Sequence, residues 1–379
     1  MNSIVRIRLF GHLCENAGTF RPYQNYFVQG FRQLVGVDFG LAPAYADFCY
    51  RLTDRRIRGA YWAWDLLNSI ANKRRSVEAD HVGRYVFQFN SNSIKVCIDS
   101  ADGKDIRDTL AYDWSDIYFK TNKWTNYNYP ANVLPLTNGN GLLTAEKIAQ
   151  IKLRRKRDKE IDLIFMTNIY ESSNKDVFHN NIEHHVRLFE TLARLDCTKF
   201  LKAVIPAGLP DNVMGKYLAR LDRAGVPWSR SWDGMSSLEF WDNLARAKLV
   251  FLRPGKHGSI SWRMTDLLCM GACIVCDLAP YPEWPVPLVA GRNFVDCGCG
   301  LGRDESLPPI ERYNNIRAVI ERLLLNQSTM DDVANENRDY FDAHGSPSSV
   351  ADYIVNTVKR WVHCSSIDPA ARDRRVLQC

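Results

Sequence analysis

The residues best able to do chemistry lie in GKHGSISWRMTDLLCMGACIVCD, residues 255–277. A glycine-rich loop with one lysine and two serines runs into a short helix, and the helix runs into an apolar strand. In open parallel sheets, anions bind beyond the carboxyl ends of strands, where free helix N–H groups and the helix dipole attract negative charge. Lys256, Ser259 and Ser261 therefore suit a pyrophosphate. Arg263, one turn into the helix, can grip a phosphate bidentately, and Asp266 can accept hydrogen bonds from a ribose diol. Ile260, Met264, Leu267 and Leu268 share one face at helical spacing, which predicts a helix apolar toward the sheet and polar toward a ligand. The alternative from the same spacing is a surface ion pair between Arg263 and Asp266.

The surrounding pattern says what positions this stretch. DLIFM, FLKAVIP, KLVFLRP and ACIVCD read as buried strands, and helical segments of ten to fifteen residues alternate with them. That alternation implies a parallel, doubly wound sheet. Before residue 150 the strands IVRIRLF, YVFQF, IKVCID, DIYFK and NVLPL mix with aromatic-rich segments, including the helical YQNYFVQGFRQLV. The expected organisation is an α/β N-terminal domain over 1–155 and a Rossmann-like domain over 156–345. A helix over 346–363, after the break at Gly345 to Pro347, returns to the N-terminal domain, and 364–379 form a tail.

The chain has 379 residues, enough for two cores. No run approaches the ~18 apolar residues of a membrane span, and the N-terminal residues lack a secretory signal pattern, so a cytoplasmic location is expected. The 11 cysteines are scattered and odd in number, which fits reduced thiols better than a disulfide framework. The net charge of +6 is partly concentrated in KLRRKRDK, residues 152–159. That run is a solvated face or, in the sharper reading, a peripheral contact with anionic lipid at the inner face of a membrane.

The run S-x-R-M-x-D-L-L-x-M-G-A-C-I-V at 261–275, followed by V-A-G-R-N-F-V at 289–295, resembles the donor-binding domain of GT-B glycosyltransferases, most closely exostosin-like members. The resemblance implies two Rossmann-like domains facing a cleft, with the nucleotide-sugar bound by the C-terminal one. It assigns Asp266, five places before Gly271, to the donor ribose and Arg263 to the pyrophosphate. It also implies a bacterial surface glycan, such as lipopolysaccharide or capsule, as acceptor. Many retaining members carry a glutamate eight places before the ribose-binding acid; Gly258 stands there, which favours inversion.

An inverting transferase needs a general base beside the acceptor hydroxyl. His12, in F-G-H after the first strand, is the first candidate, and Asp102 in IDSADGKD, beside Asp99 and Asp105, is the second. Both types also serve structural ends: a histidine near a strand end, and aspartates capping a turn. No Asp-x-Asp triplet occurs, so donor binding without a metal or other cofactor is expected. Cys273 and Cys276 point to opposite faces of one strand, against a zinc site. Dinucleotide, P-loop and serine-hydrolase motifs are missing. The rivals are a nucleotide-sugar 2-epimerase of the same fold and a non-catalytic module gripping nucleic acid or membrane through 152–159. Nucleic acid, including DNA as a glycosyl acceptor, is the weaker partner.

Overall fold

The computed structural model describes residues 4–10, 23–42, 81–169, 182–205, 211–230, 235–255, 258–277, 280, 282–298 and 310–367. The chain divides into two compact units: residues 1–145 with 346–379, and residues 146–345.

Unit 1 is built on a six-stranded sheet. In chain order it contains β1 (Val5–Phe10), α1 (Tyr23–Gln33), β2 (Val37–Leu41), β3 (Val82–Phe89), β4 (Asn92–Asp99), α2 (Thr109–Trp114), β5 (Ile117–Lys120) and β6 (Val133–Pro135). The strand order is β2-β1-β3-β4-β5-β6. Neighbours are parallel except at β3, which is antiparallel to both β1 and β4. The cause is local. Asn90 and Ser91 alone join β3 to β4, and so short a connection can only make an antiparallel pair. Asn90 adopts φ 54°, a left-handed conformation that asparagine tolerates. Because β1 and β4 both oppose β3, their carboxyl ends leave the same edge of the sheet.

Unit 2 begins within α3 (Ala145–Arg154). It continues through β7 (Ile161–Asn168), α4 (Ile182–Ala193), β8 (Lys199–Val204), α5 (Asp211–Arg223), β9 (Trp228–Ser229), α6 (Ser237–Ala245), β10 (Ala247–Leu252), α7 (Arg263–Met270), β11 (Cys273–Cys276), β12 (Val295–Asp296), α8 (Ile310–Leu324), α9 (Gln327–Tyr340) and a π-helical turn at Phe341–Gly345. All its strand pairs are parallel, in the order β12-β11-β10-β7-β8-β9. This is the doubly wound order, with the topological switch between β7 and β10. Alternate residues Leu163, Phe165, Leu249, Phe251 and Val275 pack with Val186 and Phe189 of α4 and with Ile316 and Ile320 of α8. The buried strand runs are apolar on both faces, as a sheet covered on both sides requires. Both units are thus Rossmann-like α/β, with parallel-rich sheets. The expected strands and helices of unit 2 are present; the two-residue strands β9 and β12 add to them.

The last helix, α10 (Pro347–Ile367), returns to unit 1 and packs on α1. It runs past the expected end at 363; the tail beyond 367 lies outside the described residues. Gly30 makes the contact possible, since a Cβ there would lie 2.0 Å from the Pro347 carbonyl oxygen and 2.7 Å from Ala351 Cβ. Among the described residues no helix is long and apolar enough to cross a membrane.

Gly30→Ala is expected to destabilise the protein by about 1–3 kcal/mol, the usual cost of overpacking a close contact. Chemical denaturation of the purified variant measures it. A midpoint unchanged from wild type would mean that α10 is not seated on α1.

Candidate functional site

The path from β10 to α7 is a compact turn. Gly255 N–H donates to the Ser259 carbonyl at 2.8 Å, and Gly258 N–H donates to the Gly255 carbonyl at 3.1 Å. Gly258 has φ 70°, and a Cβ on Gly255 would meet Ser259 Oγ at 2.5 Å, so both glycines are required by the fold of the turn. Ser259 is buried. Ser261 Oγ accepts the Arg263 backbone N–H at 3.3 Å, holding the first turn of α7. Lys256 lies outside the described residues.

Arg263 reaches across the switch point. Its Nη1 donates to the carbonyl of Met166, near the carboxyl end of β7, at 3.4 Å. Its guanidinium lies 4.9 Å from the ring centre of Phe240 on α6 and 5.4 Å from that of Trp262. Aromatic faces stabilise a planar cation and limit its rotamers. Asp266 is only 1% exposed, and α7 is buried from Met264 through Met270. Its carboxylate therefore belongs to the interior of unit 2, not to an open polar face or a surface ion pair. Gly271 ends the helix in the left-handed conformation, with φ 67°.

Five buried polar residues gather beside this turn, and the sequence reading did not single them out. Arg253 follows β10 directly and Asp277 follows β11 directly, so the parallel pairing sets them side by side. Arg253 Nε donates to Asp277 Oδ2 at 2.8 Å. His184 Nε2 donates to the same oxygen at 2.9 Å, and Tyr313 on α8 donates its hydroxyl to His184 Nδ1. Arg253 Nη1 donates to His185 Nε2 at 2.7 Å. Burial alone would raise the Asp277 carboxyl, but Arg253 and His184 outweigh it and hold it well below the usual carboxylate range. Burial, reinforced by Arg253, pushes His184 below its ordinary value, so it is neutral. Asp277 Oδ1 is buried with no hydrogen-bond partner among the described residues. The available signal was a charged residue ending each of two apolar parallel strands.

In unit 1, Asp99 is a structural residue. It is fully buried, accepts from Lys120 Nζ at 3.1 Å and from Tyr118 at 2.9 Å, and also receives the Ala101 N–H. Asp105 accepts from Tyr127 at 3.0 Å. Asp102 is half-buried in the loop beyond the carboxyl end of β4. His12 follows β1 and lies outside the described residues, although the strand directions send both loops from the same edge.

The basic run is largely engaged within unit 2. Arg155 donates twice to the Cys269 carbonyl in the last turn of α7, at 2.8 and 2.6 Å. Lys159 donates to the carbonyl of Ala245, the last residue of α6, at 2.8 Å. These are cations at helix carboxyl ends, where free carbonyls and the helix dipole favour them. Lys152 pairs with Asp342 at 2.6 Å and Arg154 with Asp242 at 2.9 Å. Among the described residues no three His, Cys, Asp or Glu side chains converge as a metal-ligand set, and burial pushes the Cys273 thiol up to about 12.

No family model matches the sequence, and no curated protein matches it. Among solved structures the chain is similar to Anabaena HepE in complex with UDP and glucose, at TM-score 0.41 and 10% identity, over 67% of this chain and 65% of that one. It is also similar to a glycosyltransferase from Rickettsia africae, at TM-score 0.37 and 10% identity, over 70% and 76%. A third similarity is to the C-terminal domain of the group 1 glycosyl transferase LpcC from Francisella tularensis, at TM-score 0.32 and 11% identity, over 54% and 94%.

Asp277→Ala is expected to cost about 3–5 kcal/mol, because it strands Arg253 as a buried charge. The double variant Arg253→Met, Asp277→Ala should recover much of that loss by removing both charges. Denaturant unfolding of the singles and the double forms the cycle; additive losses would show that the pair is not coupled.

Proposed function

We propose that the chain is a glycosyltransferase that moves a sugar from a nucleotide-sugar donor to an acceptor hydroxyl, with the donor held by unit 2. The observation that carries this reading is the position of Arg263. A fixed guanidinium at the switch point, beside the first turn of a helix that follows a parallel strand, is suited to a diphosphate. Lys256 and Ser261 are the further donors proposed for the same group. Ser259 holds the turn, and Asp266 would reach a ribose only if the packing around α7 opened toward it.

The acceptor is assigned to unit 1, at the edge from which the loops after β1 and β4 leave. Asp102 or His12 takes the proton of the acceptor hydroxyl. The freed oxygen forms a bond to the anomeric carbon as the bond from that carbon to the phosphate oxygen breaks. The nucleoside diphosphate departs with the electron pair, stabilised by Arg263, Lys256 and helix N–H groups. A single displacement of this kind inverts the anomeric configuration. The acceptor proposed is a glycan or glycolipid of a bacterial surface polysaccharide or lipopolysaccharide, made at the inner face of the membrane, without a metal. The engagement of Arg155, Lys159, Lys152 and Arg154 inside unit 2 counts against a module whose main work is to grip nucleic acid through that run.

A thermal-shift panel of UDP, GDP, dTDP, ADP and CMP with their sugars tests the donor site. One nucleotide family should stabilise the wild type. Arg263→Ala should weaken it about 10- to 100-fold, the loss of one or two charge-assisted hydrogen bonds. No stabilisation of the wild type by any member would contradict the reading. On the acceptor side, Asp102→Asn or His12→Ala should lower turnover by about 10²–10⁴ while leaving nucleotide stabilisation intact. Full turnover in both variants would remove them as the base.

A further inference from the structure

We infer that the chain Tyr313, His184, Asp277, Arg253, His185 is the positioning device of the nucleotide site, anchoring the turn that leads to Arg263 for as long as His185 is neutral. The inference rests on reading that turn as part of the donor site.

The anchoring follows from connectivity. Arg253 is the first residue past β10 and the root of the turn whose Gly255–Ser259 hydrogen bond sets the entry to α7. Its side chain is held on two sides, by Asp277 at 2.8 Å and by His185 at 2.7 Å. Asp277 roots the segment after β11, and His184 grips it in turn. Adjacent residues of a helix diverge by about 100°. The two histidines of α4 can therefore take hold of the two members of the ion pair separately, and Tyr313 steadies His184 from α8.

Proton accounting makes the device one-sided. A guanidinium only donates, so His185 must present a lone pair at Nε2. A proton on that atom would set N–H against N–H and place two cations in contact in a buried site. His184 is less exposed to this conflict, because the Tyr313 hydroxyl can turn to accept. Arg253 from β10, Asp277 from β11 and Arg187 on α4 itself act on His184, with Tyr313 from α8 against its ring, and Arg253 meets His185 directly. Glu183, also on α4, is occupied by Arg187 and by Arg220 of α5. Within this set, the Arg253 contact is the one that protonation of His185 breaks.

The test uses His185→Gln, whose side-chain oxygen can accept from Arg253 but does not titrate, and Arg253→Lys, which keeps the charge but cannot reach both partners. Hydrogen exchange, corrected for intrinsic rates, is measured on peptides covering 258–263 at about pH 7.5 and pH 5, with β8 and β11 peptides as controls for global unfolding. The same samples are titrated with the nucleoside diphosphate that stabilises the wild type best. In the wild type, protection of 258–263 should fall about tenfold or more at the lower pH, with nucleotide affinity falling in parallel, as loss of a charge-assisted hydrogen bond implies. His185→Gln should keep both values near those at the higher pH. Arg253→Lys should show the weakened state at both, with a raised donor KM and little change in kcat.

Protection that does not depend on pH in the wild type overturns the inference. So does an acid-induced loss that persists in His185→Gln, because a group other than His185 then causes it. If protection behaves as expected but no nucleotide binds at either pH, the anchor stands and the donor reading is what fails.

Discussion

The parallel pairing of β7 with β10 is the constraint on which the proposed site depends. Parallel strands need crossover connections, and where the winding reverses, the connections from two neighbouring strands leave in opposite senses. In unit 2 this happens between β7 and β10. Arg263 can touch the end of β7 only because the connection after β10 carries α7 back past it. Glycines in the turn, Ser261 at the first turn of the helix and the rings of Phe240 and Trp262 then narrow the positions that the guanidinium can take.

Each unit also buries a full ion pair at the carboxyl ends of neighbouring parallel strands: Asp99 with Lys120 in unit 1 and Asp277 with Arg253 in unit 2. Such pairs are a poor source of net stability, because desolvation offsets most of the attraction. Their value is geometric. Each fixes the residue at which a strand becomes a loop, and those loops carry the chemistry proposed for the site. Arg155 and Lys159 of the basic run tie the start of unit 2 to the carboxyl ends of α7 and α6 through hydrogen bonds to backbone carbonyls.

The legible part of the architecture was the part governed by short-range pattern. Apolar runs such as LIFM and LVFL, with helices of regular amphipathic spacing between them, specify a doubly wound sheet. The spacing of Arg263 from the preceding strand places it near the start of a helix, one turn in by the pattern and at the first residue in the structure. The direction of β3 was also available, since only Asn90 and Ser91 separate it from β4, but alternation alone does not report it. The burial of Asp266 was not available. A helical stripe counts apolar residues on one face and says nothing about how many neighbours enclose the others, and α7 is packed by both α6 and α9. The polar chain from Tyr313 to His185 joins residues from α4, α8 and the ends of β10 and β11, so no local window contains it. The intramolecular partners of the basic run were hidden for the same reason, because the carbonyls of Ala245 and Cys269 come close to it only in the folded unit.

The most direct test of the central claim is to photo-crosslink a nucleotide-sugar carrying a reactive group on its base or sugar, then map the modified peptides by mass spectrometry. Crosslinks should fall in the residues after β7 and between Arg253 and Asp266, and an excess of the matching free nucleoside diphosphate should abolish them. Crosslinks confined to unit 1, or labelling that free nucleotide does not compete away, would contradict a donor site at the switch point of unit 2.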